Sequence, residues 1–288
     1  MLDAVRVAVT RVPRDVYEVL ARAVERESGL ARRVLETIVE SVRVAARDEV
    51  PLCQDTGVPV VFLRVGEDVR GKARLPKIVA RVVRKATEMG LLRPNAVDPV
   101  SNVNTGDNTG RFFPEIYVEI VEGSDIETIF AVRGGGCEGV SRATMALPSR
   151  GWEELARFVV ESVVEAGPKP CPPTFLGIGV AATMGRACVL AREALILRRC
   201  GSRNPNPFVA KLEDSLLRRI NELGIGPAGL GGETTVLDVR IEYGHRHPAT
   251  FAIAVAFSCW ALRRARFVVS KDGSVVLDPL DFWSPRGA

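Results

Sequence analysis

The sequence is poor in several features that indicate particular classes of protein. It has no run of 18 apolar residues, which argues against a membrane-spanning helix. Its formal net charge is only +4 and the charges of both signs are interleaved, so it lacks the basic patch of a nucleic-acid-binding protein. Its first residues lack the basic-then-apolar layout of a signal peptide. These absences predict a cytoplasmic protein that binds neither a membrane nor nucleic acid.

Gln and Lys are also scarce. Gln occurs once, as Gln54, directly after Cys53, and Arg greatly outnumbers Lys. A chain poor in Gln and Asn is typical of a protein from a thermophile, although the base composition of a genome produces the same bias. The position of the single Gln beside a cysteine makes residues 53–54 a candidate part of a site.

The six cysteines are the most informative residues present. In a reducing compartment they are expected to be ligands or core residues rather than disulfides. Cys53, Cys171 and Cys259 each lie where a polar or Gly/Pro-rich stretch meets an apolar one, too far apart in sequence for a local metal finger. Three thiolates brought together by a fold are able to hold a four-iron cluster whose fourth iron stays open as a Lewis acid for a hydroxyl group.

The other three cysteines have different interpretations. Cys188 and Cys200 lie in and after an apolar helical pattern and are interpreted as structural core residues. Cys137 follows three glycines, and its role is left open at this point.

Hydrophobic periodicity predicts an α/β (α+β) fold, with a helical N-terminal part followed by mixed sheets flanked by helices, in one domain over residues 1–288. Helices are predicted over 14–48 with a break near Ser28, over 76–90, from Trp152 to a stop at Gly167, and over 184–199 and 207–223. Strands are predicted over 58–65, 116–121, 129–132, 175–180, 234–241, 250–257 and 267–276. The strands over 116–121 and 129–132 are predicted to pair around residues 122–125.

Four polar segments are candidates for a site. Residues 53–57 place a thiol, an amide, a carboxylate and a hydroxyl before Gly57, as a functional turn or a capped loop. Residues 104–109 form either an ordered turn or the wall of a polar pocket. Residues 134–136 are three glycines whose N–H groups suit a carboxylate, or a plain flexible turn. Both histidines, His245 and His247, lie in one short segment, as site residues or as ordinary polar residues.

Together these segments resemble the α part of class I, iron–sulfur-dependent fumarate hydratases and the related L-tartrate dehydratases. The resemblance spans the chain from its N-terminal helices to about residue 265. The motifs that carry it, as they stand here, are Cys-Gln-Asp-Thr-Gly (53–57), Asn-Thr-Gly-Asp-Asn-Thr (104–109), Gly-Gly-Gly (134–136), Cys-Pro-Pro (171–173), Gly-Gly-Glu-Thr-Thr (231–235), His-Pro-Ala (247–249) and Cys-Trp-Ala-Leu-Arg (259–263).

The resemblance implies a site and a reaction. Cys53, Cys171 and Cys259 would hold a [4Fe–4S] cluster, and the catalytic groups would be Asp55 and His247. The residues that would bind a small dicarboxylate substrate are Gln54, Arg93, Asn104, Gly135 and Arg263. The reaction implied is the reversible hydration of fumarate to L-malate, a step of the tricarboxylic acid cycle. The alternatives are L-tartrate dehydration, a non-catalytic iron–sulfur homologue, and a structural cysteine protein without metal.

The resemblance also implies a partner. In this family a β part supplies further Arg, Lys and Thr groups, including the base, and this sequence ends at Ala288 before such a part. The expectation is an α subunit that pairs with a β subunit, with two α subunits joined within a heterotetramer. Two segments depart from the family pattern. Cys137-Glu138-Gly139 stands where the family usually has Ser-Glu-Asn, and Trp260 stands where it usually has His. Both departures concern the lining of the pocket, and hence the choice of hydroxy acid.

Overall fold

The computed structural model of the protein describes residues 1–277. It confirms the predicted α/β fold class, with helices and two mixed sheets. The chain forms two compact units. Unit 1 contains residues 1–14, 41–135 and those from Arg263 onward, and unit 2 contains residues 15–40 and 136–262. The single domain predicted over residues 1–288 stays a prediction. No helix within residues 1–277 is long and apolar enough to cross a membrane.

The predicted helices are confirmed with small shifts of their ends, and two helices are additional to the prediction. The helices are α1 (Leu2–Thr10), α2 (Arg14–Arg26), α3 (Gly29–Asp48), α4 (Leu75–Glu88), α5 (Gly135–Glu138), α6 (Gly151–Ala166), α7 (Met184–Ile196) and α8 (Pro207–Asn221). Helices α1 and α5 were absent from the prediction, and the four residues of α5 are too few to show a helical period.

The strands are β1 (Val58–Gly66), β2 (Glu115–Val121), β3 (Ile126–Arg133), β4 (Arg142–Met145), β5 (Thr174–Ala181), β6 (Val236–Tyr243), β7 (Ala252–Ser258), β8 (Arg263–Val269) and β9 (Val275–Leu277). Strands β1, β2, β3, β8 and β9 form sheet 1 in unit 1, in the order β2-β1-β3-β8-β9. Strands β4 to β7 form sheet 2 in unit 2, in the order β4-β7-β5-β6.

Sheet 1 has one apolar face and one largely polar face. Val61, Leu63 and Val65 of β1 pack in a buried cluster with residues of α1 and α4. On the opposite face of β1, the ring of Phe62 stacks on Tyr117 of β2 at 4.7 Å, and Arg64 pairs with an acidic residue of β2. Side chains alternate between the two faces of a strand, so Phe62 and Arg64 share one face of β1, where Phe62 is buried and Arg64 is exposed.

The predicted pairing of β2 with β3 is wrong. Strand β1 lies between them, parallel to β2 and antiparallel to β3. Helix α4 lies between β1 and β2 in the chain and supplies the crossover that a parallel pair needs. The short connection over residues 122–125 resembled a hairpin turn. However, β1 is buried along most of its length, and it is placed between two partners rather than at an edge.

The single strand predicted over 267–276 is two strands. Strands β8 and β9 are antiparallel, and the backbone turns between them, where Ser270 N–H donates to the carbonyl of Ser274. Gly273 takes a φ of 84°, a left-handed conformation that favours glycine. The Asp-Gly pair at 272–273 was the signal for this turn in the sequence.

Sheet 2 is covered on both faces within unit 2. All eight residues of β5 are buried. Leu176, Ile178 and Val180 face a cluster formed with α6 and α8. The alternate residues, Gly177 and Gly179, lie against α7. A strand that is buried on both faces has a continuous apolar sequence. This explains why β5 was predicted from an apolar run rather than from alternating apolar and polar residues.

Helix α7 approaches β5 so closely that its contact requires glycine. A Cβ at Gly177 would overlap the carbonyl oxygen of Ala191, and a Cβ at Gly179 would overlap that of Ala187. Both clashes are with helix backbone, which cannot move aside as a flexible side chain does. The two glycines therefore set the distance between α7 and sheet 2.

A Gly179→Ala substitution tests this packing. We expect it to lower the free energy of unfolding by about 1–3 kcal/mol, the usual cost of overpacking a core. Gly185→Ala is the matched control, because Gly185 lies in α7 and a Cβ there meets nothing within 4 Å. The control should be neutral or stabilising by less than about 1 kcal/mol, since Ala favours helices over Gly. Urea unfolding of both variants measures the difference, and equal stabilities would contradict the close contact.

Candidate functional site

The candidate residues of unit 1 gather at one edge of sheet 1. Val58 at the start of β1 pairs with Arg133 at the end of β3, and Val132 pairs with Arg263 at the start of β8. The segment 53–57 precedes β1, and the glycines 134–135 follow β3. Strand pairing thus brings three separate candidate segments to the same edge.

Asp55 joins two of these segments through its carboxylate. Its Oδ1 accepts the N–H of Gly57 at 2.8 Å, and its Oδ2 accepts the N–H of Gly135 at 2.8 Å. Gly57 itself takes a φ of 79°, and a Cβ there would lie 2.5 Å from the carbonyl oxygen of Arg133. The turn therefore requires glycine, and it holds Asp55 against the glycine segment.

This arrangement changes the expectation for Gly135. Its N–H was predicted to hold a carboxylate of the substrate, whereas in the structure it donates to the carboxylate of Asp55. The N–H of a glycine segment after a strand does bind a carboxylate oxygen here, as its chemistry suggested. The carboxylate is the protein's own.

Arg93 reaches the same edge through its backbone. Its N–H donates to the hydroxyl of Thr56 at 2.8 Å, and its carbonyl accepts from the amide of Asn108 at 2.6 Å. Asn108 is completely buried and also accepts the N–H of Asn95 at 2.6 Å. Residue Arg93 as a whole is exposed. Thr56 and Asn108 thus position the Arg93 segment.

Asn104 closes the same loop. Its side-chain amide donates to the carbonyl of Pro94 at 2.9 Å, and its oxygen accepts the N–H of Gly106 at 2.8 Å. Gln54, by contrast, is exposed at the turn before Asp55. Unit 1 therefore brings together the segments that carry Gln54, Asp55, Arg93, Asn104 and Gly135.

Asp107 anchors the loop to α4. Its Oδ2 lies 2.7 Å from Nε of Arg84, and its Oδ1 accepts both the hydroxyl and the N–H of Thr109, at 2.7 and 2.9 Å. The hydrogen bond from the Thr109 hydroxyl, followed by the Arg84 guanidinium, lowers the pKa of Asp107 to about 2. The ionised carboxylate is thus part of the folded loop.

Arg263 is a buried charged residue at this edge. Its side chain is 1% exposed, and neither Nε nor Nη1 has a hydrogen-bond partner within residues 1–277. Buried guanidinium N–H groups that lack acceptors are costly in a folded chain.

Cys171 and Cys259 gather at one edge of sheet 2, in unit 2. Phe175 of β5 pairs with Ser258 of β7, so the segment before β5 and the residue after β7 lie at the same edge. Cys171 is exposed, with a φ of 55°, and Cys259 is half-buried. Antiparallel pairing thus unites two cysteines that are far apart in the sequence.

Cys137 lies at the same edge and is buried. Its Sγ accepts the N–H of Cys259 at 3.1 Å and lies 3.7 Å from the carbonyl oxygen of Pro170. This contact, left open by the sequence, joins the segments of Cys171 and Cys259. Cys200 is buried as expected, with its N–H on Asp15, whereas Cys188 is exposed on α7 rather than buried in the core.

Cys53, the third predicted ligand, belongs to unit 1 and is half-buried. Over residues 1–277, no group of three or more His, Cys, Asp or Glu side chains is gathered closely enough to hold a metal ion. The cluster therefore stays a prediction based on the donor chemistry and on the cysteine edge of sheet 2.

Sheet 2 does not bring His247 to these cysteines. The histidine segment joins the end of β6 to the start of β7, where Ala181 pairs with Ala252. Strand β7 separates it from Cys259 by seven residues, or roughly 20 Å of extended chain. At this opposite edge, Ala249 N–H donates to Nδ1 of His247 at 3.1 Å, and His245 lines an open cavity.

Comparison with known proteins matches these segments to one family. A family model described as Fumarate hydratase (Fumerase) matches residues 1–268. The chain belongs to this family. Hydratases and dehydratases of this family are hydro-lyases, which are enzymes that add water to a substrate or remove it. The match includes both sheet edges and every motif on which the resemblance rested.

Individual relatives cover nearly the same range. The protein of Methanocaldococcus jannaschii named "Putative L(+)-tartrate dehydratase subunit alpha" is 41% identical over 271 residues, which are 92% of this chain and 94% of that protein. The L(+)-tartrate dehydratase subunit alpha of Escherichia coli O157:H7 is 39% identical over 265 residues, 91% of this chain and 87% of that protein. Its counterpart in Escherichia coli K12 is 38% identical over the same length.

The loop anchor predicts a pH-dependent stability. Because the pKa of Asp107 is lower in the folded chain than the usual value near 4, its stabilisation is full above about pH 4 and is lost as the pH falls toward about 2. Asp107→Asn should therefore lower Tm at pH 7, and its difference from wild type should shrink between pH 4 and pH 2. Arg84→Gln, which leaves the Thr109 bonds, should give a smaller effect of the same sign. A difference that stays constant with pH would contradict this interpretation.

Proposed function

We propose that the chain is the α subunit of a hydro-lyase that adds water reversibly to fumarate to give L-malate. Membership of the Fumarate hydratase (Fumerase) family supports the reaction class. The observation that carries the proposal is the buried guanidinium of Arg263, at the edge of sheet 1 that also carries Asp55 and the Arg93 segment. A dicarboxylate supplies the acceptors that this side chain lacks within residues 1–277.

Three thiols fit the cofactor. Cysteine thiolates are the ligands of iron–sulfur clusters, and two of the three proposed ligands, Cys171 and Cys259, share one edge of sheet 2. Cys53 would be the third ligand. A [4Fe–4S] cluster bound by three cysteines supplies an open iron that acts as a Lewis acid on a hydroxyl group.

The chain's own residues would bind and orient the substrate. Arg263 and the guanidinium of Arg93 would hold carboxylate charge, and Gln54 and Asn104 would provide amide contacts. Asp55, held by the amides of Gly57 and Gly135, would transfer a proton. The catalytic role of His247 stays a prediction, because sheet 2 places it at the edge opposite to Cys259.

A β subunit would complete the enzyme. The relatives described above carry the words "subunit alpha" in their names, which supports a second kind of subunit for this chain too. It would supply the base and further cationic groups. Two α subunits joined within a heterotetramer would be the corresponding assembly.

L(+)-tartrate is the second candidate substrate. Relatives that are about two-fifths identical to this chain are named for its dehydration. Tartrate differs from malate by one additional hydroxyl group, so the two reactions place the same demand on Arg263 and on the cysteines. The two reactions differ in the side chains needed around the additional hydroxyl group of tartrate.

Substitution of Arg263 separates a functional buried charge from a structural one. Arg263→Met keeps much of the volume, so we expect an unchanged or higher Tm, because a buried charge without acceptors destabilises the folded chain. In the complex with the β subunit, kcat/KM should fall by about tenfold to a hundredfold, the value of a charge-assisted hydrogen bond to a carboxylate.

Arg266→Met is the control for this substitution, since Arg266 lies on the same strand and pairs with Glu127 at 2.6 Å. It should leave kcat/KM within a few-fold of wild type. An Arg263→Met enzyme with wild-type kinetics would remove the role assigned to Arg263.

Reconstitution tests the activity and the substrate together. The α chain, loaded anaerobically with iron and sulfide, should show negligible turnover alone, because the substrate site is incomplete and positioning contributes several kcal/mol to catalysis. With the β subunit it should turn over fumarate and L-malate, or else L(+)-tartrate, and the larger kcat/KM identifies the substrate. Cys53→Ser should abolish activity, whereas Cys188→Ser, in an exposed position on α7, should not.

Two outcomes of this assay would contradict the proposal. Substantial turnover by the isolated, loaded α chain would contradict the need for a β subunit. A loaded complex that acts on none of the three substrates would contradict the reaction.

A further inference from the structure

Cys137 contacts the backbone beside both Cys171 and Cys259, two of the proposed ligands. The proposed reaction gives it no role. It is 4% exposed and lies in α5, at the edge of sheet 2. Its Sγ accepts the N–H of Cys259 at 3.1 Å, and the same atom lies 3.7 Å from the carbonyl oxygen of Pro170, the neighbour of Cys171. One sulfur thus contacts the backbone of both segments.

The position of Cys137 is itself held from two sides. Its carbonyl accepts the hydroxyl of Ser141 at 2.9 Å, and that hydroxyl accepts the N–H of Phe257 in β7 at 3.3 Å. On the other side, a Cβ at Gly136 would lie 3.2 Å from the carbonyl oxygen of Lys169. The segment therefore packs directly against residues 169–170 and is tied to β7, so the sulfur has little freedom to move.

A buried thiol is suited to this bridging task. Its S–H is a weak donor, which matches the distant carbonyl of Pro170, and its sulfur lone pairs accept the N–H of Cys259. A serine hydroxyl has the same two capacities. Alanine has neither.

We propose that Cys137 is a positioning residue that sets the backbone of Cys259 and of the Cys171 segment for cluster binding, and that it is not a ligand itself. This inference rests on the proposed function, because it assumes that Cys171 and Cys259 bind iron. It predicts that the hydrogen-bonding capacity of residue 137 matters and that its thiolate chemistry does not.

The first measurement needs no cluster. Amide hydrogen exchange at Cys259 is followed at single-residue resolution in the full cluster-free chain. Loss of the acceptor in Cys137→Ala should speed exchange by about tenfold, the equivalent of one hydrogen bond, and Cys137→Ser should stay within a few-fold of wild type. Cys188→Ala, on the exposed side of α7, is the control and should leave exchange unchanged.

The second measurement uses the loaded complex with the β subunit. Bound iron and sulfide and the lifetime of the cluster's visible absorbance in air are compared for wild type, Cys137→Ser, Cys137→Ala and Cys188→Ala. We expect Cys137→Ala to shorten the lifetime by about tenfold and Cys137→Ser to preserve it, because only alanine releases the two ligand segments. Thermal unfolding of each chain confirms that the variants are folded.

The outcomes separate the inference from the function on which it rests. Exchange and lifetime unchanged in Cys137→Ala would overturn the positioning role. A cluster lost equally in Cys137→Ser and Cys137→Ala, with exchange changed only in the latter, would overturn it in favour of a thiolate ligand at residue 137. A wild-type complex that binds no iron would overturn the proposed cofactor, and this inference with it, whatever the exchange data show.

Discussion

Hydrogen bonding between strands determines which loops of this protein can meet. In sheet 1 the paired ends of β1, β3 and β8 bring the Asp55 turn, the glycine segment and Arg263 to one edge. In sheet 2 the pairing of β5 with β7 does the same for Cys171 and Cys259. The side-chain contacts at both edges, from the carboxylate of Asp55 to the sulfur of Cys137, depend on these registers. A slip of one residue in either pairing would turn the side chains to the other face of the strand.

Most elements were predictable because their signals are local. Helices α2 and α3 and strand β5 show their periods or apolar runs within a few residues of sequence. Strand order is not local, so the connection over 122–125 was mistaken for a hairpin although β1 separates β2 from β3. The supporting polar residues Thr56 and Asn108 were missed as individuals because buried Asn and Thr look like ordinary turn residues in a sequence.

The site of unit 1 is built largely from polar groups that bind one another. Asp55 accepts a hydrogen bond from the backbone N–H of Gly135. Asn108 bonds to two backbone groups of the 93–95 segment, and Asp107 bonds to both Arg84 and Thr109. Networks of this kind hold their members in one geometry, because each group is bonded to more than one neighbour. Arg263 differs from these groups, because two of its side-chain nitrogen atoms lack acceptors within residues 1–277. Buried N–H groups without acceptors are costly in a folded chain.

The interleaving of the two units along the chain has a consequence for biosynthesis. Strand β3 ends at Arg133, but its partner β8 begins at Arg263, after nearly all of unit 2. During synthesis on the ribosome, one side of β3 therefore lacks its partner strand until β8 has been made. At ordinary elongation rates this interval is on the order of ten seconds. An open strand edge invites pairing with other chains. A chain truncated before residue 263 would leave the β8 side of β3 without its strand partner, which is the kind of open edge that favours aggregation.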